Sequence, residues 1–293
     1  MNIADDYFEK YGTGDGDQIT STQTRELTEL IPAELSSTEN LKRIFSLLDL
    51  TTLNPEDNNL TAHTFTQNLN AFPEAFPGMP SVAAICVYPL LVEEIRKSLI
   101  APGVKLAAVG AGFPSSQTFL SVKLAECELL VNRGADEVDV VISVGRFMAG
   151  EYMAVLNELI LIREATAGAK LKVILETGLL KTAAGIRLAS LIAMEAGADF
   201  IKTSTGKIPV AATPEAVYVM AKAITDYYTV SGRAVGIKPA GGIAEVKDAL
   251  IYYRLIDCIL GEEWLRPERF RIGASRLANN LLTRILDYEV HYF

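Results

Sequence analysis

From residue 41 onward, short apolar runs alternate with longer stretches whose apolar residues recur at helical spacing. The runs are Ile44–Leu50, Val82–Tyr88, Lys105–Ala111, Glu137–Ser143, Leu171–Glu176, Asp199–Thr203, Val235–Pro239 and Arg271–Ala274. Most are continuous rather than strictly alternating, the pattern of parallel strands covered on both faces. Between them lie the amphipathic stretches Phe119–Asn132, Met153–Thr166, Ala183–Ala196 and Pro214–Val230. Thr213-Pro214 reads as a helix start, an N-cap hydroxyl followed by a proline whose missing N–H costs nothing in the first turn. Gly134, Gly168 and Gly197 each close a helix just before the next strand.

Eight strand–helix units over about 250 residues predict an α/β fold, a TIM (β/α)8 barrel with right-handed crossovers. The competing architecture, a doubly wound open sheet, needs a glycine-rich turn after its first strand. Here that turn is Asp49-Leu50-Thr51-Thr52-Leu53, with no glycine. The later Gly110-Ala111-Gly112-Phe113-Pro114-Ser115 lacks the third glycine and puts proline where the helix should begin. Residues 1–40 are too polar for a core of their own. They read as an acidic, mostly helical N-terminal extension to a barrel over 41–293, wrapping it as one or two short helices with a flexible Gly12–Ser21 segment. Because the core pattern begins at Ile44, the barrel is expected to fold without them.

Composition narrows the function. The chain has 293 residues, 49% hydrophobic and 22% charged, which supports a large core and excludes a mostly disordered chain. Its net charge of -9 is concentrated in residues 1–40, where Asp5, Asp6, Glu9, Asp15, Asp17, Glu26, Glu29, Glu34 and Glu39 face only Lys10 and Arg25. An acidic leader without an apolar segment is neither a secretory signal nor a transit peptide. No apolar run approaches the roughly 18 residues of a membrane span, and no basic stripe suggests nucleic acid. A cytoplasmic protein with neither membrane nor nucleic-acid partner is expected. The two His and the scattered Cys86, Cys127 and Cys258 form no CxxC or HExxH cluster, so neither zinc chemistry nor a disulfide framework is expected.

In a barrel of this kind the C-terminal strand ends form the active face. Those ends supply Asp49, Cys86, Asp139, Glu176, Lys202 and Lys238, then Gly241-Gly242 and Gly273-Ala274-Ser275. Lys202 and Lys238 sit inside otherwise buried runs on neighbouring strands, and burying an ammonium without a partner is costly. One such lysine could snorkel to the rim or pair with a carboxylate; two on strands about 4.8 Å apart are harder to explain that way. Each would disfavour the other's charge, and a lysine neutral near pH 7 can attack a carbonyl to form a Schiff base. Asp139 could shuttle the proton this chemistry requires, or pair with a lysine; both roles need the same proximity.

Gly241-Gly242 suits backbone approach to an anion, although a tight βα turn would also use it. Ser275 and the Thr203-Ser204-Thr205-Gly206-Lys207 loop add donors. That loop is not a Walker A motif, because Ile201 stands where the first glycine would be. Cys86 reads as a small apolar pocket-lining residue. Asp49 and Glu176 read as orienting residues.

Six segments together resemble the deoxyribose-phosphate aldolase family. They are Leu48-Asp49-Leu50-Thr51-Thr52-Leu53, Ala84-Ile85-Cys86-Val87-Tyr88-Pro89, residues 134–141 (GADEVDVV), Lys172-Val173-Ile174-Leu175-Glu176-Thr177-Gly178, residues 197–207 (GADFIKTSTGK) and Gly236-Ile237-Lys238-Pro239-Ala240-Gly241-Gly242. They fall in order within 41–280. The resemblance implies a class I aldolase that reversibly cleaves 2-deoxy-D-ribose 5-phosphate to D-glyceraldehyde 3-phosphate and acetaldehyde, in deoxyribonucleotide catabolism, with no metal or organic cofactor. By position, Lys202 resembles the Schiff-base lysine, Lys238 the lysine that lowers its pKa, and Asp139 the proton-relay acid. Gly206, Lys207, Gly241, Gly242, Gly273 and Ser275 match positions around the substrate phosphate. Asp49, Thr51, Cys86 and Thr203 are expected to complete the substrate pocket of a homo-oligomer, with a dimer favoured.

Three positions depart from the family pattern: Ala244 where an arginine is common after the Gly-Gly pair, Arg276 where a serine is common, and Ser116 where a loop glycine is common. They put phosphate affinity in question more than reaction type. Arg276 either supplies the guanidinium that Ala244 lacks or opens the last helix towards solvent. Tyr292 could fold back to the active face as a proton-transfer phenol. Other readings remain: a different Schiff-base lyase or transaldolase barrel, or a barrel that binds a sugar phosphate without catalysis.

Overall fold

The computed structural model describes residues 3–293. Its strands are β1 (Leu48–Thr51), β2 (Ala84–Val87), β3 (Lys105–Gly110), β4 (Glu137–Val141), β5 (Lys170–Ile174), β6 (Phe200–Lys202), β7 (Gly236–Lys238) and β8 (Ile272–Ala274). All pair in parallel in the order β7-β6-β5-β4-β3-β2-β1-β8. The bridges Ile237–Phe270 and Ala240–Gly273 bring the two ends together, giving the expected eight-stranded TIM barrel.

The helices are α1 (Ile3–Tyr11), α2 (Asp17–Thr28), α3 (Thr38–Ser46), α4 (Asn59–Ala75), α5 (Val92–Ser98), α6 (Leu120–Asn132), α7 (Val144–Met148), α8 (Tyr152–Ala165), α9 (Thr177–Leu180), α10 (Ala183–Glu195), α11 (Pro214–Ser231), α12 (Val246–Leu260) and α13 (Leu277–Leu286). Thr213 caps α11 as its sequence suggested, its side chain accepting from the Ala216 N–H. The main apolar core fills the space between strands and helices. A second, small cluster of Leu53, Ala84, Cys86, Ala107 and Val109, joined by Tyr88 and Phe113, lines the β1–β3 side of the lumen. The opposite side of the lumen is charged.

Three expectations need correction. The run predicted as a strand from Ile44 is helical up to Ser46, and β1 starts only at Leu48. Ser37 caps α3, whose Leu41, Ile44 and Phe45 are buried at helical spacing. The apolar run continues through the helix end into the strand, so hydrophobicity alone does not mark the boundary.

The segment predicted as flexible over Gly12–Ser21 is also half helical, because Asp17–Ser21 belong to α2. It is anchored as well. Arg187 of α10, only 2% exposed, donates to the Gly12 and Tyr11 carbonyls and pairs with Asp226. Tyr218 donates to Asp15, and Asp17 accepts from the Ala183 N–H at 2.6 Å.

At the other end, Tyr292 does not enter the lumen. Its hydroxyl donates to the Asn68 carbonyl, and its ring packs on Phe72 of α4 and on Phe76 just past that helix.

Candidate active site

Strand register brings the charged side chains together. Lys202 on β6 pairs directly with Lys238 on β7, and Asp139 on β4 with Lys172 on β5. The Asp139 carboxylate is the hub. Its Oδ2 accepts from Lys202 Nζ at 2.9 Å and Lys238 Nζ at 2.8 Å, and its Oδ1 accepts from Lys172 at 2.7 Å. Lys238 also meets Asp49 Oδ2 on β1 at 2.6 Å. All of these side chains are buried.

Gly273 makes room for this arrangement. A Cβ there would lie 3.0 Å from Lys238 Cε and 2.8 Å from Ala240 Cβ.

The two lysines titrate in opposite directions. Burial pushes the Lys202 ammonium below the usual lysine value; Asp139 opposes this and Lys238 adds to it. Burial also penalises Lys238, but Asp139 and Asp49 outweigh it and hold Lys238 above the usual value. The expected mutual depression therefore falls on Lys202 alone. Burial resists ionisation of Asp139 as well, yet Lys172, Lys202 and Lys238 keep it well below the ordinary carboxylate range. Cys86 is pushed up by burial and then by Asp139, which leaves a neutral thiol beside the lysines.

Above this layer opens a cavity of about 220 Å³. It is lined by Thr51, Lys202, Gly206, Lys207, Gly241, Gly242, Gly273, Ser275 and Arg276, together with Leu53, Asn54 and Ala244. Gly241 and Gly242 both adopt positive φ, at 85° and 78°, and a Cβ on Gly241 would meet the Gly206 Cα at 3.0 Å. Glu176 holds the facing loop. It accepts from the Thr205 N–H and hydroxyl at 3.1 and 2.6 Å, and the Thr205 hydroxyl accepts from the Lys207 N–H. Lys207 Nζ donates to the Leu53 carbonyl, so loops after β6 and β1 meet over the cavity.

Of the expected substrate-pocket residues, Asp49, Cys86 and Thr203 lie outside the lining. Asp49 faces the lysine network, and Cys86 belongs to the apolar cluster. The Thr203 hydroxyl donates to the Ala240 carbonyl and accepts from the Ala240 N–H, tying β6 to the end of β7. Arg276 is the N-cap residue of α13 and also lines the cavity, so its two expected positions are one.

Sequence reasoning passed over Lys172, Glu137 and Arg271. Lys172 reaches Glu137 Oε2 at 2.6 Å; Arg271 reaches Asp49 Oδ1 at 2.5 Å and Glu137 Oε1 at 2.8 Å. Only Lys172 stands inside an apolar run as Lys202 does; Glu137 and Arg271 each open theirs.

The profile of the DeoC/LacD family aldolases matches residues 44–255. The deoxyribose-phosphate aldolase of Agrobacterium fabrum (strain C58) is 42% identical over 245 residues, covering 83% of this chain and 91% of that protein. The human enzyme of the same name is 46% identical over 210 residues, 71% of this chain and 66% of its own length. Among solved structures, the tetrameric deoxyribose phosphate aldolase of Aeropyrum pernix superposes with a TM-score of 0.66 at 26% identity, over 88% of this chain and 97% of that one. With a buried lysine pair around one carboxylate at the C-terminal end of an eight-stranded barrel, the chain belongs to the DeoC/LacD family of aldolases.

Proposed function

We propose that this aldolase is a deoxyribose-phosphate aldolase working through a Schiff base on Lys202. The observation that carries the reading is a buried lysine pair sharing one carboxylate oxygen, Asp139 Oδ2, with burial pushing Lys202 below the usual lysine value while Asp139 and Asp49 hold Lys238 above it.

The neutral Lys202 amine attacks C1 of the open-chain sugar, and loss of water gives an iminium ion. Removal of the C3 hydroxyl proton breaks the C2–C3 bond, releasing glyceraldehyde 3-phosphate. The bond's electron pair stays on the enamine. Protonation at C2 and hydrolysis then free acetaldehyde and restore the amine. Asp139, in contact with both lysines, is suited to relay these protons, with Lys238 supplying the compensating charge.

The 220 Å³ cavity fits the phosphate end of the substrate. The bare backbone at Gly206, Gly241 and Gly242 lets N–H groups approach an anion, and Lys207, Ser275 and Arg276 add side-chain donors. Reduction with borohydride in the presence of acetaldehyde, followed by mass spectrometry, tests the reading. A two-carbon adduct on Lys202 is expected, and its absence would return the chain to another aldol chemistry or to sugar-phosphate binding.

We further propose that the chain acts in the cytoplasm on deoxyribonucleotide breakdown and works as a homo-oligomer, a dimer first. No helix among the described residues is long and apolar enough to cross a membrane. Assembly is supported by α6 and α8, adjacent helices that expose Val122, Leu129, Met153 and Ile160, with Phe119 exposed at the N-cap of α6. Light scattering on the eluting protein reads the mass directly.

A further inference from the structure

Beneath the reacting layer, Arg271, Glu137, Lys172 and Asp49 are charges to which the proposed chemistry gives no step, and they are joined to Asp139 and Lys238. Arg271 meets Asp49 at 2.5 Å and Glu137 at 2.8 Å; Lys172 meets Glu137 at 2.6 Å and Asp139 at 2.7 Å; Lys238 meets Asp139 at 2.8 Å and Asp49 at 2.6 Å. These contacts close into a ring in which cation and anion alternate: Asp49, Arg271, Glu137, Lys172, Asp139, Lys238 and back to Asp49. Lys172 also reaches across it to Asp49 at 3.5 Å. No member is more than 3% exposed. Three carboxylates face three cations, so the ring is electrically complete. Lys202 attaches to it only through Asp139, at 2.9 Å. It is the seventh charge, with no carboxylate of its own.

We infer that this ring is the device that keeps Lys202 unprotonated, and that Arg271 and Glu137 are positioning residues which set its proton occupancy without touching substrate. In water a surplus ammonium would be solvated; inside a neutral, buried ring its charge has neither hydration nor a counter-ion to itself. The sign of the ring's net charge therefore decides whether Lys202 carries a proton.

The surroundings leave the ring in control. β3 turns Ala107 and Val109 into the apolar cluster and leaves its one charge, Lys105, exposed at its start, while Cys86 from β2 is a buried thiol pushed up by burial. Glu176 at the end of β5 is occupied by Thr205, and Lys207 on the β6 loop by the Leu53 carbonyl.

The inference rests on Lys202 being the imine-forming amine, and the test separates the two. The rate of acetaldehyde trapping on Lys202 by cyanoborohydride is followed against pH, which reads the free-amine fraction. Glu137→Gln leaves the ring with one surplus positive charge and should move the acid limb to lower pH. Arg271→Met leaves one surplus negative charge and should move it to higher pH. Below the limb, each unit of displacement changes the trapping rate about tenfold, in opposite directions for the two variants. The double variant restores neutrality and should bring the limb back, while Arg271→Lys, which keeps the charge in altered geometry, should leave it in place. A purely structural role would damage all four proteins without ordering them by sign. Limbs that coincide, or that shift in the same direction in both single variants, overturn the inference. Should Arg271→Met fail to fold, the near-isosteric Glu137→Gln decides alone: a downward shift supports the inference, and any other result overturns it. If the unaltered protein traps nothing on Lys202, it is the aldolase reading that falls.

Discussion

Lys202 is distinguished from its neighbours by how few charges it touches. Lys238 and Lys172 each meet two carboxylates within 2.8 Å, whereas Lys202 meets one. Replacing it with arginine keeps a permanently charged group that cannot form an imine, and steady-state turnover should fall by more than about 10³-fold. Lys238→Leu should be nearly as damaging at neutral pH for a different reason. It removes the cation that helps depress Lys202, so part of the activity should return as the assay pH is raised.

Arg276 lines the cavity where Ala244 offers no donor. A hydrogen bond to a charged group is worth about 1.5–3 kcal/mol, so Arg276→Ala should cost roughly 10- to 150-fold in kcat/KM for deoxyribose 5-phosphate. Unphosphorylated deoxyribose should be unaffected; an equal loss on both substrates would remove the phosphate role. Lys202, Lys238 and Asp139 were legible because a charge within an apolar run announces itself. Arg271 and Glu137 were not, because each opens its run and can be taken for a strand-end residue facing solvent.

Among the elements, pattern reading did best where both faces of a strand are buried and worst where helix and strand share one apolar run, as at Ile44-Phe45-Ser46-Leu47-Leu48. It also missed how firmly the first forty residues are held. The side of α2 that packs on the barrel carries the buried Thr20 and Thr24, which no hydrophobic pattern reveals. Tyr11 is buried as well, its ring 5.5 Å from that of Tyr227. We therefore expect deletion of residues 1–40 to lower the melting temperature or the soluble yield, in place of the neutral outcome the sequence suggested. Such a deletion strips the Ser37 cap from α3 and leaves the Arg187 guanidinium without the carbonyls it serves. A truncated chain that melts with the full-length protein would show these contacts to be dispensable.

For the whole molecule, the buried carboxylates link stability to pH. Asp139, Asp49 and Glu137 all lie below their ordinary values, burial being outweighed by the lysines and Arg271. Their contribution to stability is fully present above the unfolded-state values near 4 and is lost as the pH falls from there towards the folded ones. Lys172 and Lys238 are raised, so theirs is present below about 10 and is lost at higher pH. Denaturant midpoints should form a plateau between these limits and fall steeply on the acid side.

The barrel's two ends meet through single bridges, Ile237–Phe270 and Ala240–Gly273, where the other strand pairs have continuous ladders. Arg271 leaves that junction and crosses the lumen to Glu137 on β4. It thus acts as a tie-rod, fastening this interrupted seam to the far wall. Deuterium uptake makes the consequence visible: the Ile237, Arg271 and Gly273 amides, which bond across the seam to Arg269, Ile237 and Pro239, should exchange faster than those of β4 and β5. Loosening the tie in Arg271→Met should widen that gap.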